Sequence, residues 1–198
     1  MVTTDGSARF SVVEIVTQTY VVSGRCRGLT ENMRLVDLLN HPEIVHLRLF
    51  EAKVCGLAGS REMTASEGHM FLDKMRVVFA SIDESPEAGA RRQMAHELDR
   101  VEKGGHEVLV FATPFRVAGA IHMVKEADPD IALPRLFGGF LVVTGAKVTY
   151  EHDDRLVWER DLLVVNGRYV EMIYSPTAEA ARLPADRHGG TLYDESAA

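Results

Sequence analysis

The sequence predicts a mainly β protein with minor α: a tandem duplication of a small antiparallel sheet or barrel-like domain, joined by an amphipathic helix. Three observations predict it. Runs rich in Val, Ile, Thr and Tyr recur through both halves of the 198 residues and suit a pleated, half-buried surface. Only one long stretch, residues 85–105, has helical periodicity. The two halves also repeat one another in order. Thr19-Tyr20-Val21-Val22-Ser23-Gly24 aligns with Pro114-Phe115-Arg116-Val117-Ala118-Gly119. Ala52-Lys53-Val54 returns as Ala146-Lys147-Val148, Phe71-Leu72-Asp73-Lys74 as Val164-Val165-Asn166-Gly167, and Ser85-Pro86 as Ser175-Pro176. The expected organisation is a first β unit over 10–84, a linker helix over 85–105, a second β unit over 106–175, and a short helix with a tail over 176–198.

Residues 12–26 open the first unit. Fifteen residues exceed a usual strand, so a bend or break is expected. Residues 108–122 are the counterpart, with Pro114 marking an edge or bulge because it cannot donate to a ladder. Residues 34–40 (Arg-Leu-Val-Asp-Leu-Leu-Asn) read as a short helix; the matching segment around 130–136 contains Pro134. In residues 44–57, Val45, Leu47 and Leu49 are apolar, then Ala52 and Val54. Alternation cannot change phase without an extra residue, which predicts a β-bulge near residues 49–51. Gly145 stands opposite Glu51 in the alignment, where a bulge is tolerated.

Asp73-Lys74 is the expected turn closing the first unit's hairpin, and Asp153-Asp154 a turn between 146–151 and 155–159. Asn166-Gly167 sits between apolar runs and predicts a type I′ hairpin, because both residues tolerate positive φ. Ser85 as N-cap, Pro86 at the first helical position and the stripe Ala90, Met94, Leu98, Val101 predict the linker helix, ended by Gly104-Gly105. Ser175-Pro176 would start a second helix reaching about residue 183.

The first unit resembles a small, uncharacterised bacterial β-domain family. The resemblance rests on Tyr20-x-Val22-x-Gly24, Arg34-Leu35-x-Asp37-x-Leu39-Asn40 and Leu49-x-x-Ala52-x-Val54. It covers residues 12–80 and, more faintly, 108–173. It implies the fold and the duplication, and no activity or cofactor.

Composition narrows the function. The chain carries 22 Lys and Arg against 29 Asp and Glu, a net charge of −7. Split by region, the basic and acidic counts are 9 and 11 over 1–84, 4 and 4 over 85–105, and 9 and 14 over 106–198. With no basic segment, a nucleic-acid partner is not expected. No apolar run reaches the length of a membrane span. Residues 1–9 lack a signal-peptide pattern, and the two cysteines, Cys26 and Cys55, form no CxxC and read as reduced. The expected location is cytoplasmic.

No phosphate loop, dinucleotide fingerprint, nucleophile elbow or HExxH is present. His41, Glu43 and His46 lie close in sequence and suggest a metal-dependent hydrolase only weakly, since a metal needs converging ligands with support. Glu151-His152-Asp153-Asp154 reads as a turn. Trp158 and Met70, Met75, Met94, Met123 and Met172 read as core. No enzyme activity, cofactor or metal is expected.

The favoured role is a non-enzymatic accessory, assembly or scaffold protein working through protein contacts or homo-oligomerisation. Thr191, Leu192, Tyr193, Asp194 and Glu195 would be a docking peptide in the tail. The alternative is a small-molecule or nucleotide sensor with its site between the two units. Arg25, Arg34, Asp37, Asn40 and Arg48 are its candidate ligand-binding residues, the arginines for anionic groups and Asp37 and Asn40 as polar neighbours on the short helix.

Overall fold

The computed structural model describes residues 10–27, 29, 33–59, 62–82 and 103–176. They form a mainly β protein with one antiparallel sheet of ten strands. The strands are β1 (Phe10–Val16), β2 (Tyr20–Arg27), β3 (His46–Gly56), β4 (Met63–Asp73), β5 (Phe79–Ile82), β6 (Lys103–Ala112), β7 (Phe115–Val124), β8 (Phe140–Tyr150), β9 (Asp153–Asn166) and β10 (Met172–Tyr174). Their spatial order is β10-β6-β7-β8-β9-β5-β1-β2-β3-β4. The order is open: β10 and β4 are its terminal strands, and no barrel closes among the described residues.

The long segment at 12–26 is a hairpin rather than one strand. Its turn is organised by the Thr17 hydroxyl, which accepts from the Tyr20 N–H at 2.9 Å and the Thr19 N–H at 3.2 Å. The turn between β6 and β7 holds Pro114, after a cis Thr113–Pro114 bond.

The phase change in β3 is a bulge, as its sequence predicts. Pairing with β4 skips between Phe50 and Ala52, and Glu51 has φ 51°. Leu47 and Leu49 are buried before it and Ala52 after it. In β8, Gly145 with φ 56° separates buried Leu141 and Val143 from buried Ala146 and Val148 in the same way. A glycine faces each bulge from the neighbouring strand. A Cβ on Gly24 would come within 3.2 Å of the Phe50 carbonyl oxygen, and one on Gly119 within 2.6 Å of Val143 Cγ1. The bulged strands therefore approach closely at both places.

Helix α1 (Leu35–Asn40) forms where residues 34–40 predict it. Its Leu35, Leu38 and Leu39 are buried with Val13, Ile15, Leu47, Leu49 and Ala80. Between β7 and β8 lie a short helix α2 (Pro129–Ala132) and a 3-10 helix over Leu133–Gly138. Asp128 caps α2 from the Asp130 N–H, and Pro129 occupies its first position, so Pro134 sits in the following 3-10 segment.

Three turn expectations are corrected. Asn166-Gly167 does not make a type I′ hairpin. Asn166 has φ −80° and caps a 3-10 turn over Gly167–Tyr169 by accepting from the Arg168 N–H. The chain then leaves β9, and β10 pairs with β6 instead. Asp73 likewise caps a 3-10 turn, over Lys74–Arg76, from the Met75 N–H at 2.9 Å. The turn expected at Asp153-Asp154 lies two residues earlier, at Glu151-His152, and Asp153 already belongs to β9. Gly104-Gly105, expected to end the linker helix, instead open β6 with Lys103. The rest of that helix and the segment after 176, including the proposed docking peptide, lie outside the described residues.

The sheet has two cores on opposite faces. Along β9, Leu163 and Val165 join one cluster with Phe115, Val117, Val143 and Trp158, while Val164 joins the cluster beneath α1. Along β5, Phe79 and Ala80 divide the same way. Successive side chains of a strand point to opposite faces, so β9 and β5 are a shared wall buried on both sides. The unbroken apolar run Leu162-Leu163-Val164-Val165 is what such a strand requires. This junction is short, Phe79 facing Val165 and Ala80 facing Val164. Polar contacts extend it. The Arg160 guanidinium donates to Glu14 Oε1 at 2.7 Å, and the Tyr169 hydroxyl to the Met75 carbonyl at 3.2 Å. The Asn166 side-chain amide donates to the Val77 carbonyl at 2.9 Å.

Candidate functional site: an aromatic and guanidinium ladder beside a sheet end

The outer face of β1–β4, opposite α1, carries an exposed row of rings and guanidinium groups. Alternation puts Arg48 and Phe50 on this face of β3, because Leu47 and Leu49 turn into the core. Cross-strand pairing places His69 beside Phe50 and Phe71 beside Arg48. The Phe10 and Phe50 rings meet edge to face at 5.3 Å. Phe50 and His69 follow at 5.9 Å, then His69 and Phe71 at 5.1 Å.

Two guanidinium groups cover the ladder. Arg25 Cζ stands 4.5 Å above the Phe10 ring, and Arg48 Cζ 4.9 Å above Phe50. Both fall within the range of cation–π attraction, about 0.5–1 kcal/mol at exposed sites. Arg25 also donates to Glu51 Oε1 at 2.8 Å, so the bulge residue holds it in place. Arg48 Nη2 lies 3.2 Å from His69 Nδ1. A guanidinium only donates, so Nδ1 is the acceptor and carries no proton in this arrangement.

The five residues singled out from the sequence do not form one site. Arg25 and Arg48 share the outer face. Arg34 and Asp37 lie at the start of α1 on the other side of the sheet. Arg34 Nε and Nη2 each donate to the Asp37 carboxylate at 2.8 Å. The Arg34 backbone N–H adds a bond to Asp37 at 3.2 Å, so the pair closes the first turn of the helix. The Asp37 hydrogen bond pushes the Arg34 guanidinium above its ordinary value, partly opposed by burial. Asn40 accepts from the Phe140 N–H at 2.8 Å and donates to the Phe140 carbonyl at 2.9 Å. It ties α1 to the start of β8 as a strand neighbour would.

Sequence reading missed Phe10, Phe50, His69 and Phe71. The signal was present: Arg48 and Phe50, and His69 and Phe71, are i, i+2 pairs outside the apolar phase of their strands. Among the described residues, no group of three or more His, Cys, Asp and Glu side chains is placed to hold a metal. His41 is occupied locally, its Nδ1 accepting from the Glu43 N–H at 3.3 Å.

The cysteines differ from each other. Neither is in a disulfide. Cys26 is buried, and burial pushes its thiol up to about 11. Cys55 is exposed, because the bulge at Glu51 shifts the phase of β3 beyond it.

The ladder runs to β4, an end of the sheet, where Phe71 and Met63 are exposed; Met172 and Tyr174 are exposed on β10 at the other end. No helix among the described residues is long and apolar enough to cross a membrane. Fold and site together define a mainly β antiparallel-sheet protein with apolar side chains exposed at both sheet ends. No family model, curated protein or solved structure matches the chain.

Proposed function

We propose that this chain is a non-enzymatic assembly or scaffold subunit, built as a tandem duplication of one five-strand unit and acting through protein–protein contacts at the ends of its sheet. The observation that carries the reading is the exposure of Phe71 and Met63 on one terminal strand and Met172 and Tyr174 on the other. An edge strand offers unpaired backbone donors and acceptors along its outer side, and another chain can add to them. The adjoining ladder supplies aromatic and arginine side chains, the types enriched where protein contacts carry most energy.

Several geometric equivalences support the duplication. The order β5-β1-β2-β3-β4 is matched by β10-β6-β7-β8-β9. Positive-φ bulges at Glu51 and Gly145, facing glycines 24 and 119, and capped 3-10 turns after Asp73 and Asn166 fall at the same points of each half. Against the sensor alternative, Arg25, Arg34 and Arg48 are already engaged by Glu51, Asp37 and the His69–Phe50 pair.

A photo-crosslinking residue at position 71 or 172, introduced in the native host, tests the reading. Covalent adducts to protein are expected at both positions and not at Ile131, exposed on α2 rather than on a terminal strand. Equal or absent crosslinking at all three would overturn it.

A further inference from the structure

We propose that the chain associates head to tail with further copies of itself, β4 of one copy adding antiparallel to β10 of the next in the register that β9 and β5 use internally. This rests on the scaffold and duplication reading above and names the partner as a second copy.

The internal junction supplies the template. Val165, one residue before the capping Asn166, faces Phe79, six residues after the capping Asp73. Leu72 is the residue before Asp73, and Met172 is the sixth after Asn166. The same register therefore sets Leu72 of one copy opposite Met172 of the next, and Phe71 opposite Ile173.

Burial singles out the same positions. Phe79 is 1% exposed and sits edge to face with Phe115 at 5.2 Å and Trp158 at 5.6 Å. Its counterpart Met172 is 56% exposed. Phe115 opens β7 as Tyr20 opens β2, and Trp158 faces Val148 as Met63 faces Val54. Phe115 and Trp158 are buried, while Tyr20 is 50% and Met63 56% exposed. Val164 is fully buried against Ala80; its counterpart Phe71 is 63% exposed. Four large side chains whose internal equivalents are buried are thus exposed, three on the terminal strands β4 and β10 and Tyr20 at the start of β2. Met172 of one copy would enter the space beside Tyr20 and Met63 of another, as Phe79 enters that beside Phe115 and Trp158. Phe71 would lie next to Ile173 on the core that holds Val108 and Val110, as Val164 lies next to Ala80.

The polar contacts are not all reproduced. Arg160, which bonds Glu14 and Ser81 at the internal junction, has Ala65 in its place on β4, since Arg160 faces Ala146 as Ala65 faces Ala52. The intermolecular junction is accordingly weaker than the internal one. The surfaces are also two different patches. Such heterologous contacts form rings or open chains rather than two-fold dimers.

Size-exclusion chromatography with light scattering on the full chain, over a concentration series, tests this with Phe71→Glu, Tyr20→Glu and Met172→Glu. These side chains are exposed, so the fold is retained, as circular dichroism would verify; Tyr20→Glu replaces Phe71→Glu should the latter unfold. The unmodified chain is expected to form species of two or more copies. Each variant alone should associate at least ~10-fold more weakly. Mixing Phe71→Glu with Met172→Glu leaves one intact β10 end and one intact β4 end, so a 1:1 pair should form and grow no further. A monomeric unmodified chain, oligomers that persist in the variants, or a mixture that stays monomeric each overturns the proposal. A monomer that nevertheless crosslinks through position 71 to a different protein in the host overturns self-association and leaves the scaffold reading standing; no crosslink removes both.

Discussion

Asn166 bonds the two halves of the sheet across their shared wall: its side-chain amide donates to the Val77 carbonyl at 2.9 Å, and its backbone N–H to the Val78 carbonyl at 2.9 Å. The residue is almost fully buried, and its side-chain oxygen also accepts from the Arg168 N–H. One side chain therefore caps the turn after β9 and satisfies a carbonyl of the other half. Asn166→Ala leaves both groups without these partners, at about 1–3 kcal/mol for an unsatisfied buried group. Urea unfolding should show that loss as a lower midpoint with an unchanged slope. Asn166→Asp should be worse, because it keeps the cap but sets a carboxylate against the Val77 carbonyl.

The β3 bulge and α1 were legible because each follows from local rules. A phase flip needs an inserted residue, and Leu35, Leu38 and Leu39 share one helical face. The Asn166-Gly167 turn was misread because its chemistry fits two outcomes. Asn can take positive φ in a hairpin, or its side chain can cap a 3-10 turn, and the strand that follows decides between them. That strand is β10, whose Met172 pairs with Phe111 of β6, beyond any local pattern. The ladder was half legible: Arg25 and Arg48 stand out by charge, whereas Phe10, Phe50 and Phe71 come together only through cross-strand register, which no local pattern supplies.

Glu51 and Gly145 occupy the same left-handed backbone region with different side chains, φ 51° and 56°. A non-glycine residue there costs about 1–2 kcal/mol. Glu51→Gly relieves that strain and loses the exposed Arg25 ion pair, worth about 0–1 kcal/mol, and some unfolded-state entropy, about 0.5–1 kcal/mol. The expected result is a change near zero or a small gain in thermal midpoint. Gly145→Ala should lower it, even though nothing lies within 4 Å of the new Cβ.

Gly119→Ala should cost more than Gly24→Ala. The new Cβ would lie 2.6 Å from Val143 Cγ1 and 2.8 Å from the Thr144 carbonyl oxygen, against 3.2 Å for the closest approach at Gly24. Overpacking of that kind costs about 1–3 kcal/mol. Paired denaturant titrations would reveal the ranking, and equal losses would mean that the β7–β8 bulge yields as easily as the β2–β3 bulge.

Cys26 and Cys55 should separate cleanly in thiol labelling. Cys55 is exposed and should react in the native chain, while Cys26 is buried and should react only on unfolding. The burial that raises Cys26 to about 11 from 9.0 has a stability consequence with a definite sign. The folded chain holds the proton more tightly than the unfolded one. Its contribution is thus fully present below pH 9 and lost as the pH rises through about 11. Cys26→Ser should remove that alkaline dependence, measured as the difference in thermal midpoint between pH 8 and pH 11.

Asp73 is where the two capping turns differ most. It accepts from the Met75 N–H as Asn166 accepts from the Arg168 N–H, but a carboxylate has no donor to give a carbonyl. In head-to-tail pairing its place is opposite Val170, the counterpart of Val77, where Asn166 would supply an amide. Asp73→Asn keeps the cap, since the amide oxygen still accepts, and adds the missing donor. Association should tighten by roughly 3- to 10-fold, from a hydrogen bond worth about 0.5–1.5 kcal/mol, while the stability of the isolated chain stays nearly constant. Sedimentation velocity on matched concentration series separates the two effects. If Asp73→Asn leaves association unchanged, the internal junction is not the template for the external one.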